Sequence, residues 1–227
     1  ATGYVKIPDD DSLEPSYDQS YEMWIKPSDG GGFLLNKQSP RVGHGYYLKL
    51  DIEGYLEYSV YVGQEGDRTV TSSHAVDISG TTWTHVVATY DGSTLALLIN
   101  GVESKSVDIG SSKELKENSQ PLRIGQNFVG YIDEVRIFRK VLSADEIIAT
   151  HLCPTVDPHH MSLYMTMNDM YGTVVSDVSG MHNSGTIVDG PTWSTEAAPS
   201  GLDLVAATSP VTLETDLTTG VSNLSPM

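Results

Sequence analysis

From Gly3 to Phe138 apolar and polar residues alternate in short runs, each closed by turn residues. Period-two alternation sends successive side chains to opposite faces, so the pattern predicts half-buried β-strands. Gly3-Tyr-Val-Lys-Ile-Pro8 predicts a short strand stopped by proline and acidic residues. In Ser20-Tyr-Glu-Met-Trp-Ile-Lys26, Tyr21, Met23 and Ile25 share a face. Gly45-Tyr-Tyr-Leu-Lys-Leu50 and Tyr55-Leu-Glu-Tyr-Ser-Val-Tyr-Val62 predict a hairpin around Glu53-Gly54. Trp83-Thr-His-Val-Val-Ala-Thr-Tyr90 and Thr94-Leu-Ala-Leu-Leu-Ile99 flank Asp91-Gly92, and Asn100-Gly101 follows at once. Asp-Gly and Asn-Gly are the strongest short hairpin signals, because both residues tolerate the positive φ of tight primed turns. Strand after strand with turns between them predicts an all-β, two-sheet antiparallel sandwich.

One helix interrupts this pattern. Ser143-Ala-Asp-Glu146 reads as a capping box, in which the serine hydroxyl and the glutamate carboxylate satisfy each other's backbone amides. Ile147 and Ile148 supply an apolar face, and the helix should end near His151, ahead of Pro154. Strand signals resume at Ser162-Leu-Tyr-Met-Thr-Met167, Gly172-Thr-Val-Val175 and Gly185-Thr-Ile-Val188. The chain thus divides into 1–153, a strand-rich 154–193, and a Ser/Thr/Pro-rich tail 194–227 that still holds a β-like run at Pro210-Val-Thr-Leu-Glu214.

The charge narrows the partners. Thirty Asp and Glu against 13 Lys and Arg give a formal net charge of −17. That disfavours nucleic acid and anionic membranes, which need cationic surfaces. Lys140 is the last cation, and the 87 residues after it (227 − 140) hold no Lys or Arg. A solvated acidic surface explains this, and so would calcium or a basic partner. No apolar run reaches the roughly 20 residues of a bilayer span, so no membrane insertion is expected. The first residues lack the basic start and apolar middle of a signal peptide, so a secreted form would have shed its signal. The one cysteine, Cys153, excludes an intrachain disulfide and a cysteine-based zinc site, and leaves a free thiol or an intermolecular bridge.

In order and spacing the chain resembles the laminin-G-like, concanavalin A-like jelly-roll family. The carriers are Gly3-Tyr-Val-Lys-Ile-Pro8, Tyr21-Glu-Met-Trp-Ile-Lys-Pro27 and Trp83-Thr-His-Val-Val-Ala-Thr-Tyr-Asp-Gly92 with Leu98-Ile-Asn-Gly101. After them come Pro121-Leu-Arg-Ile-Gly125, Phe128-Val-Gly-Tyr-Ile-Asp-Glu-Val-Arg-Ile-Phe138 and the capped Leu142-Ser-Ala-Asp-Glu-Ile147. The resemblance implies a jelly-roll sandwich over 1–153. It also exposes a permuted order. The stretch that resembles the family's opening strands comes last, as Leu163-Tyr-Met-Thr-Met-Asn-Asp169, Val175-Ser-Asp-Val-Ser-Gly180, Gly185-Thr-Ile-Val188 and Gly190-Pro-Thr-Trp193. Beyond it, 207–216 echoes 1–10. Three arrangements fit: closure on the chain's own sandwich, completion of a neighbour's sandwich in a head-to-tail polymer, or a piece of a longer tandem protein.

Candidate chemistry is sparse. Glucanases of this fold use carboxylates that share a strand face. Here Asp133 and Glu134 are adjacent and should diverge, and no Gly-x-Ser-x-Gly elbow occurs. His85 reads as a packed or surface strand residue. The resemblance implies a calcium ion, with Asp133 and Asp177 as the matching ligands; the plainer expectation is that Asp133 bonds loop amides and Asp177 caps a turn. It also implies carbohydrate binding. Tyr46, Tyr47, Tyr55, Tyr58 and Tyr61 concentrate on two strands; Tyr55 and Tyr61 share a face as a candidate platform, with Asn36, Arg41 and His44 of the preceding loop as rim groups. Cross-strand packing explains such tyrosines equally. Asn223-Leu-Ser225 is an N-glycosylation sequon. The first expectation is a non-catalytic extracellular or cell-surface structural or adhesive module, a filament or surface-assembly subunit that self-associates head to tail by strand exchange. The second is a calcium-dependent module binding glycan or extracellular matrix, and the third is an accessory domain of a glycoside hydrolase.

Overall fold

A computed structural model describes residues 3–14, 17–41, 43–63, 65–110, 115–152 and 159–199. Cys153, the run 210–214 and the sequon at Asn223 lie outside these residues. The strands are β1 (Tyr4–Ile7), β2 (Asp18–Pro27), β3 (Phe33–Asn36), β4 (Tyr46–Leu50), β5 (Leu56–Val62), β6 (Gly66–Thr71) and β7 (Thr84–Asp91). They continue with β8 (Thr94–Ile99), β9 (Val102–Asp108), β10 (Leu122–Ile124), β11 (Gly130–Phe138), β12 (Met161–Met165), β13 (Val174–Val175) and β14 (Gly185–Val188). Helix α1 spans Ala144–Leu152. Two antiparallel sheets stack, one of eight strands in the order β13-β14-β1-β10-β3-β4-β5-β6 and one of six in the order β12-β11-β2-β7-β8-β9. This is the expected all-β jelly-roll sandwich with one short helix.

The hairpins form where turn chemistry predicts them. Asn100 and Gly101 take φ of 52° and 77°, the left-handed pair that a tight primed turn requires between β8 and β9. β3 and β6 are additions to the sequence reading; β6 buries only Val70, so its apolar residues are too few to show a period. Asn36, expected in a loop, is the last residue of β3.

The C-terminal strands close the sandwich within the chain. β12 lies along β11, with Leu163 opposite Ile137. β14 lies along β1, with Ile187 opposite Val5, and β13 adds the edge beyond it. Gly185 makes this closure tight: a Cβ there would lie 2.5 Å from Val5 Cγ1 and 3.3 Å from Met165 Cε.

The core between the sheets is aliphatic around a tyrosine cluster. Tyr21 is fully buried, with its ring centroid 4.7 Å from that of Tyr46 and 5.7 Å from that of Tyr58. Their hydroxyls find partners, as buried phenols must: Tyr21 donates to Gln19 Oε1 at 2.7 Å, and Gln19 Nε2 donates to the Tyr58 hydroxyl at 2.9 Å. Two of the five clustered tyrosines are therefore core residues. Helix α1 packs across the other side of the six-stranded sheet, where Ile147 joins Val87, Phe138, Leu142 and Met161 in a second apolar cluster. Its capping box is in place, with the Glu146 amide donating to Ser143 Oγ at 3.3 Å and the Ser143 amide to Glu146 Oε2 at 2.9 Å. Ile148 is exposed, so Ile147 is the residue that anchors the helix.

Candidate functional site

A β-bulge in β11 arranges the side chains on the outer face of the six-stranded sheet. Asp133 lies opposite Trp24 and Arg136 opposite Glu22, so three steps along β11 match two along β2. The extra residue lets Glu134 adopt φ 53°. A bulge of this kind reverses the alternation beyond it. Ile132 packs on the core, and so do Val135 and Ile137. Asp133, Glu134 and Arg136 instead line one small cavity, of about 150 Å³, with Trp24 and His151. The expectation that Asp133 and Glu134 diverge is thereby corrected, because strict alternation does not survive the bulge.

Beneath α1 this face carries a buried ionic network. Glu22, His85 and Arg136 are all 0 % exposed. Glu22 Oε1 accepts from His85 Nε2 at 2.8 Å and from Arg136 Nη1 at 3.2 Å. Arg136 Nη2 pairs with Glu134 and donates to the Tyr164 hydroxyl oxygen at 3.1 Å, and Tyr164 donates to Glu134 Oε2 at 2.6 Å. Trp24 stacks on His151 of α1 at 5.1 Å and contacts His85 at 5.1 Å. Burial works against the Glu22 charge, yet His85 and Arg136 outweigh it and hold the carboxyl below the usual glutamate range. Burial raises the Asp133 and Glu134 carboxyls and, with His85 nearby, lowers the His151 imidazole. The arrangement ties β2, β7, β11, β12 and α1 together, and its carboxylates already hold donors.

The same face becomes open and aromatic toward the start of β11. Tyr131 lies opposite Lys26, and continuing the β2–β7 register brings Trp83 to the other side of Lys26. The rings of Tyr131 and Trp83 are 6.3 Å apart, and Lys26 Nζ sits 5.6 Å from the Tyr131 centroid. Lys26 also pairs with Glu196 at 2.7 Å, which draws the segment after Trp193 over this edge. Between Tyr131 and Trp193 opens a cavity of about 680 Å³ at the end of the sandwich. Its inner wall is apolar, with Ile124, Ile132 and Ile187; its mouth carries Ser28, Asn168 and Thr192. Trp193 is fixed by its indole N–H, which donates to the Gly172 carbonyl at 3.0 Å. Gly3 allows the wall to close, since a Cβ there would lie 2.4 Å from the Asp189 carbonyl oxygen and 2.3 Å from Pro191 Cδ. A concave volume that combines an apolar wall with polar groups is a form that small-ligand sites take.

The residues expected from sequence are dispersed. His44 and Tyr61 do meet, their rings 4.7 Å apart. Tyr55 precedes β5, six residues from Tyr61, a separation of roughly 20 Å along an extended strand. Asn36 Nδ2 donates to Gln126 Oε1 at 3.0 Å, and its Oδ1 accepts the Gln38 amide at 3.0 Å. Arg41 is exposed in the turn after β3. Both carboxylates of the expected calcium pair are engaged by donors of their own loops and neighbours. Asp177 accepts the amides of Tyr164 (2.9 Å), Ser179 (2.9 Å) and Asn183 (2.8 Å) and the Ser179 hydroxyl (2.9 Å). Asp133 accepts the amides of Glu134 and Ala198, each at 2.9 Å. Both carboxylates face N–H and O–H donors, whereas a calcium ion needs converging oxygens. Among the described residues no group of three or more His, Cys, Asp or Glu is placed to hold a metal ion. Sequence reasoning missed Lys26, Tyr131 and Trp193 as site residues. The signal available was their place in the segments that carry the resemblance.

Comparison with known proteins agrees with this architecture. Residues 1–148 match the laminin G-type family model of the concanavalin A-like lectin/glucanases superfamily. No curated protein matches the chain. Among solved structures, a candidate carbohydrate-binding protein from Bacteroides ovatus ATCC 8483 superposes with TM-score 0.67 at 20% identity, covering 88% of this chain and 59% of that one. This chain therefore spans about three fifths of that protein's length. The binding domain of Paraclostridial mosquitocidal protein 1 gives TM-score 0.55 at 18% identity, over 65% of this chain and 40% of that one. The CBM40 domain of the Ruminococcus gnavus IT-sialidase, solved with α2,3-sialyllactose, gives 0.52 at 15% identity, over 66% and 94%. At these identities the likeness is one of fold.

Proposed function

The chain belongs to the concanavalin A-like lectin/glucanases superfamily, and from that premise we propose that it is a non-catalytic carbohydrate-binding module whose ligand enters the cavity at the end of the sandwich. The observation that carries this reading is the cavity itself, about 680 Å³, walled by Tyr131 and Trp193 with hydroxyl and amide groups at its mouth. A sugar has an apolar C–H face and a hydroxyl periphery. It calls for an aromatic wall together with short polar side chains, because each buried hydroxyl must keep a hydrogen bond. The names of two similar structures, a candidate carbohydrate-binding protein and a sialyllactose-bound carbohydrate-binding module, support the same ligand class. Calcium is not part of this reading, since Asp133 and Asp177 accept backbone amides. Among the described residues no helix is long and apolar enough to cross a membrane. The proposed setting is extracellular or at the cell surface, where free and conjugated glycans are met.

A glycan array probed with the purified chain and with Trp193→Ala tests the reading. Binding to a defined set of glycans that Trp193→Ala loses, with the variant's fold verified by its melting curve, supports it. An array without signal, or a variant that binds like the parent, contradicts it.

A further inference from the structure

We infer that the end cavity takes an uncharged glycan whose terminal sugar carries an apolar substituent such as an acetamido methyl. This rests on the carbohydrate reading and adds the ligand's charge and shape. The charged side chains among the described residues lining the cavity are Asp133 and Glu196, both anionic; no Lys, Arg or His lines it. Lys26 lies next to it, but its ammonium already pairs with Glu196 at 2.7 Å and sits over the Tyr131 ring. A sialylated or sulfated sugar gives up hydration when it enters a cavity and needs a guanidinium or ammonium in exchange. Here it would meet the Asp133 carboxylate and a Glu196 already balanced by Lys26, with no unpaired cation among the described lining residues. The chain's net charge of −17 acts in the same direction. At physiological salt that field is screened beyond about 8 Å, so the local groups decide: the Asp133 carboxylate and the lack of an unpaired cation among the described lining residues.

The inner wall sets the shape. Val5, Ile124 and Val175 belong to the core between the sheets and also line the cavity, with Ile132 and Ile187 beside them. A hydroxyl pressed onto this wall loses its water without gaining a partner, whereas a methyl group gains contact. The polar groups, Ser28, Asn168, Thr192, Ser194 and Thr195, are left to bond the ring hydroxyls.

Calorimetric titration of the full chain with three matched oligosaccharides tests this. One ends in N-acetylhexosamine, one in the plain hexose, and one is the first capped with sialic acid. The expected result is binding of the N-acetylhexosamine form about tenfold or more above the hexose form, with the sialylated form silent. Preference for the sialylated form would overturn the charge inference while leaving the carbohydrate reading standing. Equal affinity for hexose and N-acetylhexosamine would overturn the apolar substituent. Failure of all three, together with an empty array, removes the carbohydrate reading and this inference with it.

Discussion

The backbone N–H of Ala198 donates to Asp133 Oδ2 at 2.9 Å, across 65 residues of sequence. This bond joins the bulged strand of the six-stranded sheet to the segment that follows Trp193, and so fixes one wall of the end cavity. Asp133→Ala removes both that bond and the bond to the Glu134 amide. Leaving buried amides unpaired costs about 1–3 kcal/mol. Chemical denaturation should show a loss of that size, and a variant as stable as the parent would mean that the segment is held by other contacts.

Glu22, His85 and Arg136 form a charge network with no exposed surface. Removing one member leaves a buried charge without compensation, so Arg136→Met should destabilise the fold by about 3–5 kcal/mol. The triple variant Glu22→Leu, His85→Phe, Arg136→Met, which empties the site of charge, should recover a large part of that loss. If the single and triple variants are equally unstable, the network's effect lies in shape rather than charge.

The pH dependence follows from the same cluster. The His151 imidazole titrates below its usual range, so the unfolded chain takes up the proton first. Its contribution is present above the ordinary histidine pKa and is lost as pH falls through the folded value. Glu22 behaves alike at lower pH, being held below its ordinary range. Asp133 and Glu134 are raised and oppose this, gaining stability as they protonate. Between pH 7 and 5 the melting temperature of the parent should therefore fall relative to that of His151→Gln. Parallel profiles for the two proteins would place the acid sensitivity elsewhere.

Asp177 accepts four hydrogen bonds from its own loop and from β12. Its replacement by alanine should cost about 1–3 kcal/mol. Excess chelator should leave the parent's melting temperature unchanged. A clear drop with chelator, reversed by calcium, would restore the metal reading for this loop.

Because β12 and β14 pair with β11 and β1 of the same chain, head-to-tail assembly by strand exchange would have to break those pairings. Light scattering over a wide dilution range should return a constant monomer mass. Growing particles that dissociate on deletion of 163–193 would support the filament reading.

What could be read from sequence was local. The β8–β9 turn was legible because Asn100-Gly101 carries its own backbone preference, and α1 because Ser143 and Glu146 are three residues apart. The Glu134 bulge was not, since glutamate at φ 53° has no sequence signature and strict alternation sends its neighbour Asp133 the wrong way. The separation of the buried Tyr58 from the half-buried Tyr55 and Tyr61 follows period-two alternation along one strand. Tyr55 and Tyr61 lie six residues of extended chain apart, and of the expected rim groups it is His44 that meets Tyr61. The cavity was out of reach for another reason. Tyr131 and Trp193 meet only once the last strands close on the first, and the permuted order left open which chain they close on.

The most direct test of carbohydrate binding in the end cavity uses the indole N–H signals of the three tryptophans, Trp24, Trp83 and Trp193, assigned by substitution. On titration with an oligosaccharide selected by the array, the Trp193 signal should move in step with binding while that of Trp24, buried against His151, stays in place. Saturable binding that leaves Trp193 unmoved, with changes gathered around His44 and Tyr61 instead, would contradict the account.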